Sequence, residues 1–525
     1  MPVDTPAWAR DAVFYQIFPD RFAASERVPK PGPLEPWDAP PTIHGFKGGD
    51  LLGIAERLDD LLDLGVNALY LTPIFRSASN HRYHTDDYLA VDPLLGGDAA
   101  LRELLDAAHA RGLRVVLDGV FNHCGRGFWP FHHVVESGAG SPYRGYFHLD
   151  DVGLDRGRRL RPYPTLEEEG EIRRLAASIG AGAASRQVLG YEGWWGLPAL
   201  PKLCVTDPEL RAHLLDVAVH WVRFGIDGWR LDVAEEIEEA FWEEFRERVR
   251  AVDPEAYLVA EIWHPKPEWL TGRHFDALMN YPLAEAILGY AAGDHLDLRV
   301  TAEHQELAAN VWHRDGLSFA AELERLTTLY PPEVTNVMLD LLGSHDTPRI
   351  RTICGGDVTS IRLATLLQMT LPGAPCIYYG DEVGMEGHKD PDCRRAFPWD
   401  RARWAPGLRE EVRELVWLRR RHPALRDGGL RVAGAADGAV AYLRWSEGET
   451  FLVACNVGGM ATGLDLDVGL AAPGEVTAPT GDPTVALAVG ASGGDVRVTP
   501  AAEDTGATRV MVEVPARTGA VIRLH

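Results

Sequence analysis

Gly225-Ile226-Asp227-Gly228-Trp229-Arg230-Leu231-Asp232-Val233 is a short apolar run that closes on a charged pair. It reads as a β-strand, and on a strand Arg230 and Asp232, two residues apart, leave the same face. Arginine keeps its proton at ordinary pH, and a carboxylate beside it stays ionised. That is the state a carboxylate nucleophile requires. A lone R-x-D is more often a structural ion pair, so its meaning depends on the rest of the chain.

Apolar runs of the same kind recur on both sides: residues 12–18, 67–71, 114–118, 257–261, 275–280, 337–342 and 376–379. Helical periodicity fills most of the gaps. Leu51, Leu52, Ile54, Leu58, Leu61, Leu62 and Leu64 fall near helical spacing, as do Ile237, Phe241, Phe245, Val249 and Val252. Further helices are expected over 99–111 and 207–224. The strands are nearly all apolar, as strands covered on both faces should be. Eight of them, alternating with helices, predict an α/β fold: a closed (β/α)8 TIM barrel. In that fold catalytic groups sit where the strands end.

Two segments break the alternation. Residues 124–203 are too long and too aperiodic for a plain loop, and read as an inserted domain over the strand-end face. From about residue 428 the chain becomes strands with Gly-rich turns. The expected organisation is a catalytic barrel over 1–123 and 204–427, an inserted domain at 124–203, and a C-terminal all-β sandwich over 428–525.

Formal charge is −25, from 52 basic and 77 acidic residues. Such a surface repels nucleic-acid phosphate and anionic lipid, so neither is an expected partner. The six cysteines at 124, 204, 354, 376, 393 and 455 show no paired spacing and read as reduced thiols in a cytoplasmic protein. Met1 to Arg10 lacks the pattern of a signal peptide, and no stretch approaches the length of a membrane span.

The strand ends carry the chemistry. After the second comes Asn80-His81-Arg82-Tyr83; after the third, Asp118 to His123; after the fourth, Asp232; after the fifth, Glu261-Ile262-Trp263-His264; after the seventh, Ser344-His345-Asp346. A barrel brings Asp232, Glu261 and Asp346 to one rim. Paired carboxylates on one cavity suit glycoside hydrolysis. Asp232, with its arginine, is the expected nucleophile. Glu261, flanked by Ile262 and Trp263 and facing two anions, is the better acid. Tyr83, Phe121 and Trp263 offer flat faces to sugar rings.

Asp118–His123, Gly228–Glu236, the Glu261 stretch and Leu341–Asp346 resemble, in order, the four signature regions of the α-amylase family of glycoside hydrolases. Leu200-Pro201-Lys202-Leu203, Ser79 to Tyr83 and Asp390 to Arg395 are similar to the neopullulanase, cyclomaltodextrinase and maltogenic amylase group. The resemblance implies Asp232 as nucleophile, Glu261 as acid/base and Asp346 as a clamp on ring hydroxyls. It implies substrate contacts from Arg230, His123, His345, Tyr83, His81 and Trp263, and from Asp390 and Arg394 on the next sugar. The implied reaction is retaining hydrolysis of α-1,4 bonds in maltooligosaccharides, cyclodextrins or pullulan, with transglycosylation as a side reaction. Alternatives are an α-glucan transferase, a trehalose-forming isomerase, or a non-catalytic carbohydrate-binding barrel.

Three departures stand out. The barrel begins almost at once, at Trp8 to Phe14, without the group's N-terminal β-domain; the expected state is a monomer, or a dimer unlike that of domain-bearing relatives. Ala23-Ala24-Ser25-Glu26-Arg27 follows Asp20-Arg21-Phe22 where relatives often hold calcium. It is poor in oxygen ligands, and Asp50 and Asn122 alone do not make a site, so no metal or cofactor is expected. Glu235-Glu236 stands where many amylases have Lys-His, which argues against an ordinary starch-liquefying α-amylase.

Overall fold

The computed structural model describes residues 3–469, 483–491, 495–500 and 509–524. Eight strands make one parallel sheet: β1 Phe14–Ile17, β2 Ala68–Leu71, β3 Arg114–Gly119, β4 Gly228–Leu231, β5 Tyr257–Ala260, β6 Ala277–Leu278, β7 Leu339–Leu341 and β8 Ala374–Tyr378. Their order is β6-β5-β4-β3-β2-β1-β8-β7. A parallel bridge from Met279 to Leu339 joins the two edges, and Asn280 N–H donates to Leu339 O at 2.8 Å. The sheet is thereby closed into the expected (β/α)8 barrel. Except for Arg114 at the start of β3, every residue of these strands is buried, which explains the unbroken apolar runs. Gly228 is needed where β4 meets β5: a Cβ there would fall 2.2 Å from Tyr257 O.

The helices follow from local signals. α1 spans Gly97–His109. Asp207 caps α4 (Pro208–Phe224) by accepting from the N–H groups of Glu209 and Leu210; Pro208 opens the helix, and Gly225, at φ 112°, ends it. Such a cap contributes about 1 kcal/mol. α4 buries Leu210, Leu214, Leu215, Val217, Ala218, Trp221 and Val222, each large side chain stabilising by roughly 1.5–3 kcal/mol. α5 (Glu239–Val252) buries Phe241, Trp242, Phe245 and Val249, as its spacing predicts.

Between β3 and α4, residues 124–203 hold α2 (Leu166–Ile179) and α3 (Ala181–Leu189). α2 begins with a reciprocal capping box between Thr165 and Glu168. The segment returns to the barrel through antiparallel bridges from His123 to Lys202 and from Phe147 to Leu203.

α6 (Val358–Thr370) and α7 (Leu408–Arg421) close the barrel side that meets the C-terminal strands. Those strands are β9 Gly429–Ala436, β10 Ala439–Ser446, β11 Glu449–Asn456, β12 Thr462–Asp467, β13 Thr484–Gly490, β14 Arg497–Pro500, β15 Arg509–Val514 and β16 Thr518–Arg523. They form antiparallel sheets β9-β10-β11-β16-β13 and β12-β15-β14, sharing a core that includes Leu443, Leu452, Leu466, Val512 and Ile522. Within the expected C-terminal segment, residues 470–482, 492–494, 501–508 and His525 lie outside the described residues.

Two buried arginines meet at the end of α6, Arg419 from the barrel itself and Arg444 from β10, and the second ties this module to the barrel. Arg419 donates to the carbonyls of Met369, Leu371 and Leu425 at 3.0, 2.9 and 2.6 Å, and to that of Gly373. Arg444 donates to Thr370 O, and the Tyr442 hydroxyl lies 2.5 Å from Thr370 Oγ1. The carbonyls that the last turn of α6 leaves without helical partners are thus satisfied from outside. Among the described residues no helix is long and apolar enough to cross a membrane.

Candidate active site

The tips of β2, β3, β4, β5 and β7 meet at one charged centre built on Arg230. β3 and β4 pair in register so that Asp118 stands beside Arg230. Arg230 Nη1 donates to Asp118 Oδ1 at 2.9 Å and to Asp232 Oδ1 at 2.8 Å. Its Nη2 lies 2.9 Å from Glu261 Oε2. All four groups are buried.

One guanidinium therefore serves three carboxylates, which cannot all ionise in a dry site without penalty. Burial pushes Asp118 up to about 6, against the pull of Arg230, Tyr70 and Tyr83. Burial likewise drives Asp232 well above the usual carboxylate range; Arg230 opposes it, while Glu261 and Asp118 add to it. This corrects the expectation that Arg230 simply keeps Asp232 ionised: the guanidinium is shared with Asp118 and Glu261, and burial outweighs its pull.

The two carboxylates differ in their remaining partners. Glu261 Oε2 accepts from Val233 N–H at 3.0 Å, and Glu261 Oε1 from the Trp263 indole N–H at 3.3 Å. Asp232 Oδ2 is buried with no protein partner. Val233 makes this possible through its backbone: φ 39°, ψ 51° is left-handed and rare for a β-branched residue. Strain of that kind, on the order of 1–3 kcal/mol, persists where surroundings enforce it and concentrates at active sites. Here it turns the chain after Asp232 and aims an N–H at Glu261.

Asp346 sits opposite, its carboxylate 30% exposed, with His345 Nε2 3.2 Å from Oδ2 and Arg394 Nη2 3.2 Å from Oδ1. Arg394 also donates to His345 O at 2.7 Å and pairs with Asp390 at 2.9 Å. Asp390 and Arg394 thus lie at the outer edge of the same cluster.

A relay of hydrogen bonds fixes the tautomer of His345. Gln16 Nε2 donates to Nδ1 at 2.9 Å, leaving Nε2–H for the Tyr83 hydroxyl at 2.6 Å. Tyr83 in turn donates to Asp118 Oδ2 at 2.8 Å, beside the Tyr70 hydroxyl at 2.7 Å. Burial, with the nearby arginines Arg394 and Arg230, holds His345 well below the usual imidazole range, so it is neutral. The Tyr83 and His345 rings stack at 5.3 Å. The loop carrying Tyr83 and His81 is anchored by Arg82, itself at φ 61°, which pairs with Asp92 at 2.8 Å. His81 accepts from Tyr83 N–H at 3.2 Å.

His123 is buried, pushed down to about 3 chiefly by desolvation, and its Nε2 has no protein partner. Trp263 stacks on Tyr281 at 3.6 Å and on His304 at 4.7 Å. Every site residue expected from the sequence thus lies in this one cluster or on its edge, except Phe121, whose ring packs among Trp229, Phe241, Trp242 and Phe245 as core.

Sequence reasoning misses three groups. Asp118 opens a motif, but its role as second partner of Arg230 goes unread; equal distances from the strand ends could have paired them. Tyr70 and Gln16 are buried polar residues inside strands, which is itself a signal. Trp194 stacks on His123 at 4.8 Å, with its own indole N–H buried and unpartnered.

Of the two residues expected to remain for calcium, Asp50 is already engaged. Asp50 accepts from Gly53 N–H at 2.7 Å, Ser25 N–H at 2.9 Å and Lys30 Nζ at 3.0 Å, and Lys30 also donates to Leu94 O at 2.8 Å. In the neighbouring loop Lys47 Nζ donates to Pro36 O and Ala39 O, both at 2.7 Å. Lysine ammonium groups stand at these oxygens, leaving a poor fit for a divalent ion. Asn122 Oδ1, buried without a protein partner, is a single ligand. Among the described residues no cluster of three or more His, Cys, Asp or Glu could hold a metal.

The catalytic-domain description of the alpha-amylase family matches residues 16–419. A cyclomaltodextrinase of Geobacillus thermopakistaniensis is 41% identical over 455 residues, covering 86% of this chain and 69% of that one. The structure of Ttha1563 from Thermus thermophilus superposes with a TM-score of 0.84 at 44% identity, covering 99% of this chain and 100% of that one. The debranching enzyme of Nostoc punctiforme in its native form gives 0.83 at 41% identity, with the same coverage of both chains.

Proposed function

Because the chain belongs to the alpha-amylase family of glycoside hydrolases, we propose that Asp232 is its nucleophile and Glu261 its acid/base, cleaving α-1,4 bonds of maltooligosaccharides, cyclodextrins or pullulan. The observation that carries this assignment is the difference between the two carboxylates. Asp232 Oδ2 has no protein partner, while both oxygens of Glu261 are held by N–H donors. A shared guanidinium also limits how far apart the two groups can lie. Retaining glycosidases need a pair about 5–5.5 Å apart.

The reaction then runs in two displacements. Glu261 gives its proton to the glycosidic oxygen as Asp232 Oδ2 attacks the anomeric carbon, breaking the carbon–oxygen bond and forming a β-glycosyl ester. Water, losing a proton to Glu261, attacks the same carbon, and Asp232 leaves. Two inversions restore the α configuration. A sugar hydroxyl in place of water gives transfer. Asp346, held by His345 and Arg394, receives the ring hydroxyls. His123 Nε2 supplies a further polar contact, and Tyr83 a stacking face. Arg230 neutralises part of the charge on both catalytic groups.

Asp232→Asn should cut turnover by roughly a thousandfold or more while maltooligosaccharide still binds. NMR of the first product of the parent enzyme should show the α-anomer. Appreciable hydrolysis by the variant, or a β-anomer, would overturn the assignment.

A second reading, cleavage of α-1,6 bonds, is favoured by the end-to-end match with a debranching enzyme. Pullulan separates them: α-1,4 cleavage releases panose, α-1,6 cleavage maltotriose. Neither displacement calls on a metal, and we assign none, since lysines stand at the oxygens of the loop after Asp20. Six free thiols support a reducing, cytoplasmic setting.

A further inference from the structure

We propose that Trp195 is a platform on which a glucosyl unit of the substrate chain, beyond those joined at the cleaved bond, stacks. This rests on the α-glucan reading above. Three rings run outward from the site: His123, Trp194 at 4.8 Å from it, and Trp195 at 4.5 Å from Trp194. The inner two are tilted by 6° and the outer two by 18°. The innermost ring belongs to the catalytic cluster, and the outermost is 70% exposed. One face of Trp195 is covered by Trp194 and the other is open. A large apolar ring at that exposure gains little by folding, so packing does not explain its position.

The backbone supports the same conclusion. Trp195 has φ 53°, ψ 19°, a left-handed conformation that non-glycine residues rarely adopt. The turn that imposes it is tightly held. Gly193 N–H donates to Ser185 Oγ at 2.9 Å, Trp194 N–H to Leu200 O at 2.8 Å, and Gly196 N–H to Gly193 O at 2.8 Å. α2 and α3 pack beneath: a Cβ on Gly196 would lie 3.2 Å from both Ile172 Cγ2 and Ala181 O. The inserted helices thus brace a strained turn whose product is one fixed, solvent-facing indole. An amphipathic pyranose ring, apolar on its C–H face and polar at its rim, is the ligand such a face fits.

The test compares kcat/KM for maltoheptaose and maltotriose in the parent, Trp195→Gly and Trp195→Tyr enzymes. Glycine removes the ring and adopts the left-handed turn freely, so its effect is not one of strain. The maltoheptaose-to-maltotriose ratio should fall about tenfold in Trp195→Gly and return to within about threefold of the parent in Trp195→Tyr. A ratio unchanged in Trp195→Gly overturns the platform. So does an unchanged ratio with a dimer that dissociates in sedimentation, which would make the ring a contact between copies. If the parent cleaves neither sugar, the α-1,4 reading fails and the platform, which rests on it, with it.

Discussion

Asp118 Oδ1 and Asp232 Oδ1 take hydrogen bonds from the same nitrogen, Arg230 Nη1, at 2.9 and 2.8 Å. A structural carboxylate thus competes with the proposed nucleophile for one cation, and its charge raises the proton affinity of Asp232. Asp118→Asn removes that charge and frees Arg230 for Asp232; both effects lower the Asp232 pKa. The ionised nucleophile then persists to lower pH, so the acid limb of kcat/KM should move about one unit toward acid. The maximum rate should fall, since Arg230 loses one of its three charged partners. A pH–rate profile checks this. A limb that stays, or moves toward alkaline pH, overturns the coupling.

The barrel was legible because its strands are buried on both faces, leaving uninterrupted apolar runs from residue 12 to 379. The catalytic cluster was legible because strand ends in such a barrel converge, and Asp232, Glu261 and Asp346 each follow a strand by at most a few residues. What could not be read is how the charges are shared. Nothing in the order of residues says that Arg230 reaches across to Glu261, because that contact is made between neighbouring strands. The Trp194–Trp195 stack was hidden for a similar reason: it lies in a segment without period, and its meaning comes from the bridge that brings Lys202 to His123.

Lys30 pairs with Asp50 in the loop that follows Asp20. Its ammonium lies 3.0 Å from Asp50 Oδ2, and the carboxylate is fully buried. Lys30→Met leaves that charge uncompensated, and stability in urea should drop by about 3 kcal/mol. Dialysis of the parent enzyme against EDTA should leave both its activity and its melting temperature where they were. A large loss with EDTA, restored by calcium, would show that a cation is bound.

Asp340 offers a measure of how burial affects stability at a distance from catalysis. Oδ1 accepts from Asn280 at 2.7 Å, while Oδ2 is buried without a partner. Desolvation pushes the group up to about 7, only partly offset by Asn280, Arg419 and Arg444. An unfolded aspartate titrates near 3.9, so between the two values the folded protein holds a proton that the unfolded chain has lost. Stability from this residue is therefore full below about pH 4 and declines as pH rises toward 7. Asp340→Asn mimics the protonated acid and does not titrate. Relative to the parent, the variant should gain on the order of 3 kcal/mol between pH 5 and pH 7.5, read from urea denaturation at both. A difference between the two proteins that does not change with pH would mean that Asp340 is ionised throughout, and that Arg419 and Arg444 offset its burial.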